Sequence, residues 1–473
     1  MSQGALTQLS AIGAQEENFL SKTPQYSIFN ERVKKINNFA DRYHTMIPPG
    51  KATWGSKFRM KIDKEGDLLN GLYFLVTLPE LDINNCPNNS QTDQSGTNSI
   101  SWIESIQDYI IKDIKLYIGG QLIDEKSGLA MAISDKLLTD ESVFNWLSDH
   151  IESNFKVNEG TDEVNKNDIL IPLKFWFSSN VKKGLPLIAL QYHDIELEIE
   201  INNFETAYNT YKYYSSGPVG NYIDNKNNTH PFKDLENVKI IGSYTLLDAE
   251  ERKRVAESEH KILITQTQNR ECFLEPGPNN TTRTIDLNFN HPVRELIFYF
   301  QNTEMSKFSP LDLGYFGPKL SIDYRNKYLD DIDTDIDKNK DYFKRIKKYN
   351  QILGEARIMI NGYERVSWQN KTFFNDIQIK EAYKGLRGLN YYYYSFSGKP
   401  SADTPMGSLN FSRIDNAQLQ IRTNKYNRDK LLGYYRDSAH WKLDDEQMKI
   451  NVHAINYNYL IIKGGMAGLA YTT

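Results

Sequence analysis

The sequence predicts an all-β protein: two β-sandwiches in tandem, with a few short helices. Three observations predict it. The first is a long internal repeat. Phe-Trp-Phe-Ser-Ser-Asn at 175–180, Gly-Leu-Pro-Leu-Ile-Ala-Leu at 184–190 and Asp-Ile-Glu-Leu-Glu-Ile-Glu-Ile at 194–201 have counterparts downstream. These are Tyr-Ser-Phe-Ser-Gly-Lys-Pro at 394–400, Pro-Met-Gly-Ser-Leu at 405–409 and Asp-Asn-Ala-Gln-Leu-Gln-Ile at 415–421. Phe177 aligns with Phe396, Pro186 with Pro405 and Leu190 with Leu409, 219 positions apart. Solenoid units are far shorter, so this period reads as two domains of one architecture. The second observation is hydrophobicity alternating with period two, the pattern of antiparallel strands with one dry and one wet face. The third is a set of two-residue turns of the kind that need positive φ.

The elements follow in order. Residues 1–28 read as an N-terminal arm, without the basic-then-apolar layout of a signal peptide. The first sandwich is expected over 29–247. The apolar run 72–78 has strand length, far short of a bilayer span. Ile114, Leu116 and Ile118 alternate with polar residues and meet Gly119-Gly120, which predicts a hairpin over 116–123. Residues 128–151 are expected to contain a helix. Ile195, Leu197, Ile199 and Ile201 alternate with Asp194, Glu196, Glu198 and Glu200. Asp248 with Glu251 forms a capping box ahead of a short charged helix, so 248–261 reads as a helical connector. The second sandwich then occupies 262–473. Ile285, Leu287 and Phe289 alternate there, and Asn361-Gly362 predicts a hairpin over 358–366. A helix is expected within 342–353. The run Tyr391–Tyr394 corresponds to 173–176 in the first half and reads as a core and interface strand. Long loops are expected at 84–99, 204–232 and 324–340, where the ends of a sandwich tolerate insertion.

Composition narrows the function. The chain has 473 residues, 39% hydrophobic, 25% charged and 12% aromatic, with 30 Tyr. That length allows two or three domains, each able to bury a core. A net charge of −5 argues against a general grip on nucleic acid, which needs a basic face. Cys86 and Cys272 are too few for a disulfide framework and form no metal-binding pair, which fits a reducing compartment.

Candidate chemistry is sparse. The acidic stretch 331–337 resembles the start of a calcium loop, but Ile336 stands where Gly is needed and Tyr342 where a bidentate Glu is needed. It reads as a solvated loop. Histidines 44, 150, 193, 230, 260, 291, 440 and 453 show no metal-ligand spacing. No nucleophile elbow, Walker loop or dinucleotide fingerprint occurs. The glycines at 464, 465 and 468 follow a strand, with no helix behind them to bind a phosphate. Of the sequons at Asn88, Asn227, Asn279, Asn280, Asn370 and Asn410, most are expected by chance in so Asn-rich a chain, and Asn88 and Asn227, in long polar loops, are the best placed as acceptors. Lys344, Arg345, Lys347 and Lys348 read as a solvated helix face. No catalytic, cofactor-binding or metal-binding residue is therefore assigned, and no cofactor is expected.

A set of motifs spans the whole chain in order. They are residues 4–15, Pro24-Gln25, 38–40, 66–68, 118–124, 185–193, 287–292, 410–416, 456–458 and 465–471. With these the chain resembles the major capsid proteins of nucleocytoplasmic large DNA viruses. It departs from their pattern at 28–37 and at Ile461. The resemblance implies a double jelly roll, two tandem eight-stranded jelly-roll β-sandwiches. It implies a homotrimer of pseudo-hexagonal outline that tiles an icosahedral shell beside neighbouring capsomers. It also implies minor capsid proteins under the shell, an internal membrane nearby but not spanned, and no direct contact with nucleic acid. The expected location is the virion, after synthesis in the host cytoplasm, and the expected role is structural rather than enzymatic. A minor or paralogous double-jelly-roll capsid or scaffold protein is the alternative, followed by a carbohydrate-binding jelly-roll protein.

Overall fold

The computed structural model describes residues 3–16, 18, 23, 36–82, 96–102, 106–138, 163–164, 167–178, 180–204, 207–214, 234–274, 282–302, 353–383, 391–402, 404–423 and 448–472. The chain divides into two units, Met1–Phe39 and Ala40–Thr473. In the first lie helices α1 (Gln3–Ser10) and α2 (Ala14–Glu16), and residues 3–15 expose their side chains, Leu6 and Leu9 included.

The strands begin with β1 (Phe39–Met46), β2 (Lys57–Lys61), β3 (Leu68–Leu78), β4 (Leu81–Asp82) and β5 (Gly96–Trp102). Helix α3 (Ile106–Ile110) leads into β6 (Ile111–Ile118) and β7 (Gln121–Ser127), followed by helix α4 (Gly128–Leu138). Then come β8 (Glu163–Val164), β9 (Asn167–Leu173), β10 (Leu185–Pro186), β11 (Ile195–Ile201), β12 (Tyr208–Tyr214) and β13 (Glu236–Leu247). Two main sheets result, one ordered β1-β13-β3-β10 with β9 also on β3, the other β2-β11-β6-β7, beside the two-stranded pairs β5-β12 and β4-β8.

Helix α5 (Ala249–Glu257) lies between β13 and the next set of strands, and Asp248 Oδ1 caps it by accepting from Glu251 N–H at 2.9 Å. The strands resume with β14 (His260–Leu274), β15 (Thr282–Asp286), β16 (Pro292–Asn302), β17 (Leu353–Ile360) and β18 (Tyr363–Asn370). A π-helical turn (Phe373–Ile377) and helix α6 (Gln378–Ala382) follow, then β19 (Tyr391–Ser395), β20 (Leu409–Asn410), β21 (Ala417–Thr423), β22 (Met448–Lys463) and β23 (Met466–Leu469). The sheets are β14-β22-β16-β19, with β20 on β16 and β23 on β22, and β15-β21-β17-β18. The orders β14-β22-β16-β19 and β15-β21-β17-β18 repeat β1-β13-β3-β9 and β2-β11-β6-β7 of the first half, with β20 in the place of β10. Among the described residues, β4, β5, β8, β10 and β12 in the first half and β20 and β23 in the second lie beyond the expected eight strands each.

Alternation decides the faces. Ile195, Leu197, Ile199 and Ile201 are buried, while Glu196, Glu198 and Glu200 face out. The outward acids meet bases across the ladder: Lys57 with Glu198 at 2.8 Å, Lys61 with Asp194 at 2.8 Å, and Arg59 with Glu196. Such exposed pairs add little stability but keep this face wet. Ile285, Leu287 and Phe289 are all buried, although β15 ends at Asp286. Both predicted hairpins form with positive φ at each turn residue: 57° and 81° at Gly119 and Gly120, 48° and 82° at Asn361 and Gly362.

Several expectations change. The repeat is real, but its register is not 219. Cross-strand pairing makes Leu69 equivalent to Val293 and Leu185 equivalent to Leu409, each 224 apart, and Leu173 equivalent to Tyr394, 221 apart. Loops of unequal length between strands shift the offset, and the Pro186–Pro405 match is coincidental. Parts of the expected loops 84–99 and 204–232 are strands, since β5 and β12 pair with each other. Of the helix expected in 128–151, α4 occupies Gly128–Leu138, and 139–151 lie outside the described residues. Leu353 opens β17 rather than ending a helix; 342–352 and the loop 324–340 lie outside the described residues. The tail glycines form a third tight turn, Gly464 and Gly465 at φ 59° and 82°, joining β22 to β23.

Candidate assembly interface

The two sandwiches are joined by a long ribbon, β14 paired with β22 over fifteen positions. One face of β22 reads Ile450, Val452, Ala454, Asn456, Asn458, Leu460, Ile462. The first three lie in the second core, and the last two in the first core with Ile264 of β14. The asparagines sit where the ribbon leaves one core for the other. Asn458 Nδ2 donates to Gln266 Oε1 and to the Tyr471 carbonyl, both at 2.8 Å, and Gln268 Nε2 donates to Asn456 Oδ1 at 2.9 Å. Buried amides need such partners. The motif at 456–458 is thus a polar crossing between two apolar cores.

Edge strand β7 of the first half meets β14 of the second through side chains. Thr267 N–H donates to Asp124 Oδ1 at 3.0 Å, and the Gln266 amide donates to the Ile123 carbonyl. Asp124 is fully enclosed; burial raises its pKa above the usual carboxylate range, against the pull of Lys126 3.5 Å away. A β-bulge at Ile123 turns these groups toward the neighbour. The tail hairpin adds three bonds to the first half: Tyr192 N–H to the Gly465 carbonyl at 3.0 Å, Ala467 N–H to His193 Nδ1 at 3.1 Å, and Leu469 N–H to Gln121 Oε1 at 3.3 Å.

Helix α4 covers the remaining face. Its Ile133 and Leu137 pack with Ile297, Tyr299, Tyr391 and Tyr393 from the side of the second sheet turned away from its own core. Alternation in β16 sends Leu296 and Phe298 inward and Ile297 and Tyr299 to this seam. Tyr299 hydroxyl lies 3.0 Å from His453 Nε2 with the rings stacked, and it also reaches Ser127 of β7. Burial, with Lys449 nearby, pulls the His453 pKa down to about 4. A bulge at Arg294 places two successive side chains on the seam side. Glu295 is buried there, accepting from Tyr383 and Tyr393 hydroxyls at 2.7 and 2.6 Å and from Arg294 Nε at 3.1 Å. Burial works to lower the Arg294 pKa, but Glu295 and Tyr383 outweigh it and hold the guanidinium charged. All four tyrosines of 391–394 are buried, two facing the second core and two the seam. Sequence reading had no signal for the Glu295 network or for the part played by His453.

The candidates for chemistry do not gather. Among the described residues no three His, Cys, Asp or Glu side chains lie close enough to hold a metal ion. His44 faces Asp63 at 3.4 Å, His260 bonds the Val255 carbonyl at 2.7 Å, and His193 and His453 serve the seams. Cys272 is a free thiol. Asn370 and Asn410 use their side chains to accept from Phe373 N–H and Ser412 N–H. Cys86, the acidic stretch 331–337, the basic residues 344–348 and the sequons at 88, 227, 279 and 280 lie outside the described residues.

Comparison with known proteins agrees with this architecture. The family model described as major capsid protein N-terminus matches residues 27–248, and that described as large eukaryotic DNA virus major capsid protein matches 251–468. The major capsid proteins of Phaeocystis pouchetii virus and Paramecium bursaria Chlorella virus 1 are 26% and 27% identical, each over 99% of both chains. The solved PBCV-1 virus capsid chain superposes with a TM-score of 0.68 at 23% identity, covering 94% of this chain and all of that one. Two matched sandwiches, each met by its own half of the family's models, place this chain in the large eukaryotic DNA virus major capsid protein family, with the double jelly-roll fold.

Proposed function

We propose that three copies of this chain close into a capsomer of pseudo-hexagonal outline, and that such capsomers tile the icosahedral shell of a large DNA virus. One observation carries the reading. A single chain holds two sandwiches of the same connectivity joined side by side, so a threefold ring presents six similar units. A ring closes, and a near-hexagonal outline packs without gaps. The work is structural and rests on area buried between sandwiches and between subunits rather than on a reactive group. The division proposed is an arm at 1–28, a first jelly roll at 29–247, a connector at 248–261 and a second jelly roll at 262–473. The arm would lie on the inner side, toward minor capsid proteins and the internal membrane. No helix among the described residues is long and apolar enough to cross a membrane. Synthesis in the host cytoplasm and assembly into the virion complete the reading.

Negative-stain microscopy and light scattering of the purified protein test it. Hexagon-like particles of three chains are expected; a stable 54.8 kDa monomer at micromolar concentration would overturn it. Abundance in purified particles separates a major from a minor capsomer, and glycan binding by a protein absent from virions would favour a carbohydrate-binding role.

A further inference from the structure

The two sandwiches treat one gap differently, the space between the edge strand of one sheet and the turn that leaves the other. In the first sandwich Lys126 of β7 crosses it: the ammonium donates to the Lys174 carbonyl and lies 5.8 Å from the centre of the Phe175 ring. Trp176, which follows Leu173 as Ser397 follows Tyr394, is buried against Phe175. In the second sandwich the gap stays open between β18, the 373–382 helical segment and the turn after β19. It forms a cleft of about 450 Å³ lined by Arg365, Gln369, Phe373, Gln378, Glu381 and Ser397. The architecture does not require this cleft, since the first half folds with the same gap closed.

Its polar groups do not satisfy one another. Ser397 is 8% exposed, and its hydroxyl is buried without a hydrogen-bond partner among the described residues. Buried hydroxyls are nearly always paired, because an unmade bond costs free energy. Arg365 is exposed on β18, and burial raises the Tyr394 pKa while the Arg365 charge pulls against it. Glu381 is exposed on α6, where its carboxylate accepts from the Gln378 amide at 3.0 Å. Among the described residues Arg365 and Glu381 form no ion pair, with each other or elsewhere, although both line the cleft. A simple anion there would meet the Glu381 charge, and a simple cation the Arg365 charge. A hydroxyl suits both, since it donates to a carboxylate and accepts from a guanidinium. Val366, Phe373 and Pro400 add an apolar wall, and the volume falls within the range of small-molecule sites.

We propose that this cleft binds a neutral saccharide. Arg365 donates to one ring hydroxyl, Glu381 accepts from another, and the Ser397 hydroxyl gains the partner it lacks. Phe373 and Pro400 take the C–H face of the ring. A polyhydroxylated ring carries donors and acceptors on one edge and apolar C–H groups on its faces, which is the division of this lining. Every wall comes from a single chain, so the site does not depend on the trimer proposed above. It adds a binding role to the structural one.

Isothermal titration calorimetry of the full chain tests it, with maltose, cellobiose and lactose as probes, each taken to about 50 mM so that a millimolar Kd still saturates. At least one should bind. Arg365→Ala and Glu381→Gln, both at exposed positions, should each weaken that binding about tenfold or more, as expected for hydrogen bonds to charged groups, with unchanged melting. Should either variant melt differently, Ser397→Ala replaces it and must also weaken binding. Failure of all three sugars to bind overturns the proposal, and so does binding that the variants leave undiminished, which places the sugar elsewhere. Inorganic phosphate and glutamine serve as the other probes. If either binds through Arg365 while the sugars do not, the cleft takes an anion or a zwitterion and the saccharide reading is wrong.

Discussion

At the scale of the residue, the seam between the sandwiches is more polar than its position requires, and two groups there set its chemistry. His453 is neutral in the folded protein down to a pH of about 4, while in the unfolded chain it takes up a proton near 6.5. The unfolded state therefore binds more protons between those values, and stability falls as pH drops through that window, levelling off below it. At about 1.4 kcal/mol per pH unit, the loss approaches roughly 3 kcal/mol. Denaturant unfolding at pH 7, 5.5 and 4.5 should show this slope in the wild type and a flatter one in His453→Gln; equal slopes would place the titrating group elsewhere. Glu295 poses the opposite case. Its charge is matched by Arg294 and two tyrosine hydroxyls, so Glu295→Ala leaves a buried guanidinium without its partner. The expected cost is about 3–5 kcal/mol. A loss under about 1 kcal/mol would mean that water reaches Arg294.

At the scale of the element, α4 links both sandwiches and is held by its first residue. A Cβ on Gly128 would stand 1.8 Å from the carbonyl oxygen of Ile111, a backbone atom of β6 that cannot swing aside. Gly128→Ala must push α4 away from β6 and disturb its packing on Tyr299 and Tyr391. A destabilisation of at least about 2 kcal/mol is expected, the range of overpacked cores. Unfolding midpoints of the two proteins decide it, and an unchanged midpoint would show that α4 can shift freely. The helix itself was legible in the sequence; the close approach was not, since nothing adjacent to Gly128 indicates that residue 111 lies over it.

At the scale of the whole molecule, the tail closes a circuit. Strand β22 traverses both cores, and the hairpin to β23 bonds back to Gln121, Tyr192 and His193 of the first half. The sandwiches are expected to behave as one cooperative body, since the first core takes in Leu460, Ile462 and Ala467 from the far end of the chain. The arm differs, because residues 3–15 leave their side chains exposed. Deleting 1–28 should preserve folding and the trimer while impairing shell assembly. Light scattering and microscopy of the truncated protein read both effects, and loss of the trimer on deletion would contradict the proposed role of the arm.

Period-two alternation and paired glycine or Asn-Gly turns carry their information locally, which is why the class of fold, the hairpins at 119–120 and 361–362, the cap at Asp248 and the duplicate architecture could be read from the sequence. Each depends on residues within a few positions, or on a pattern that repeats along one strand. Register did not follow, because loops of unequal length moved the repeat from 219 to 221–224 and only cross-strand hydrogen bonds fix which residue faces which. Nor did the pairing of two expected loops as β5 and β12, or the tail turn at Gly464 and Gly465. The seam was equally out of reach. Asp124 and Thr267, Tyr299 and His453, and Glu295 and Tyr393 are 143, 154 and 98 positions apart. Their partnership exists only because two sandwiches lie side by side, burying charge and ring nitrogen in one place. The sequence determines by itself that each half folds as a sandwich with one dry face; the tertiary structure decides which outer faces also become dry.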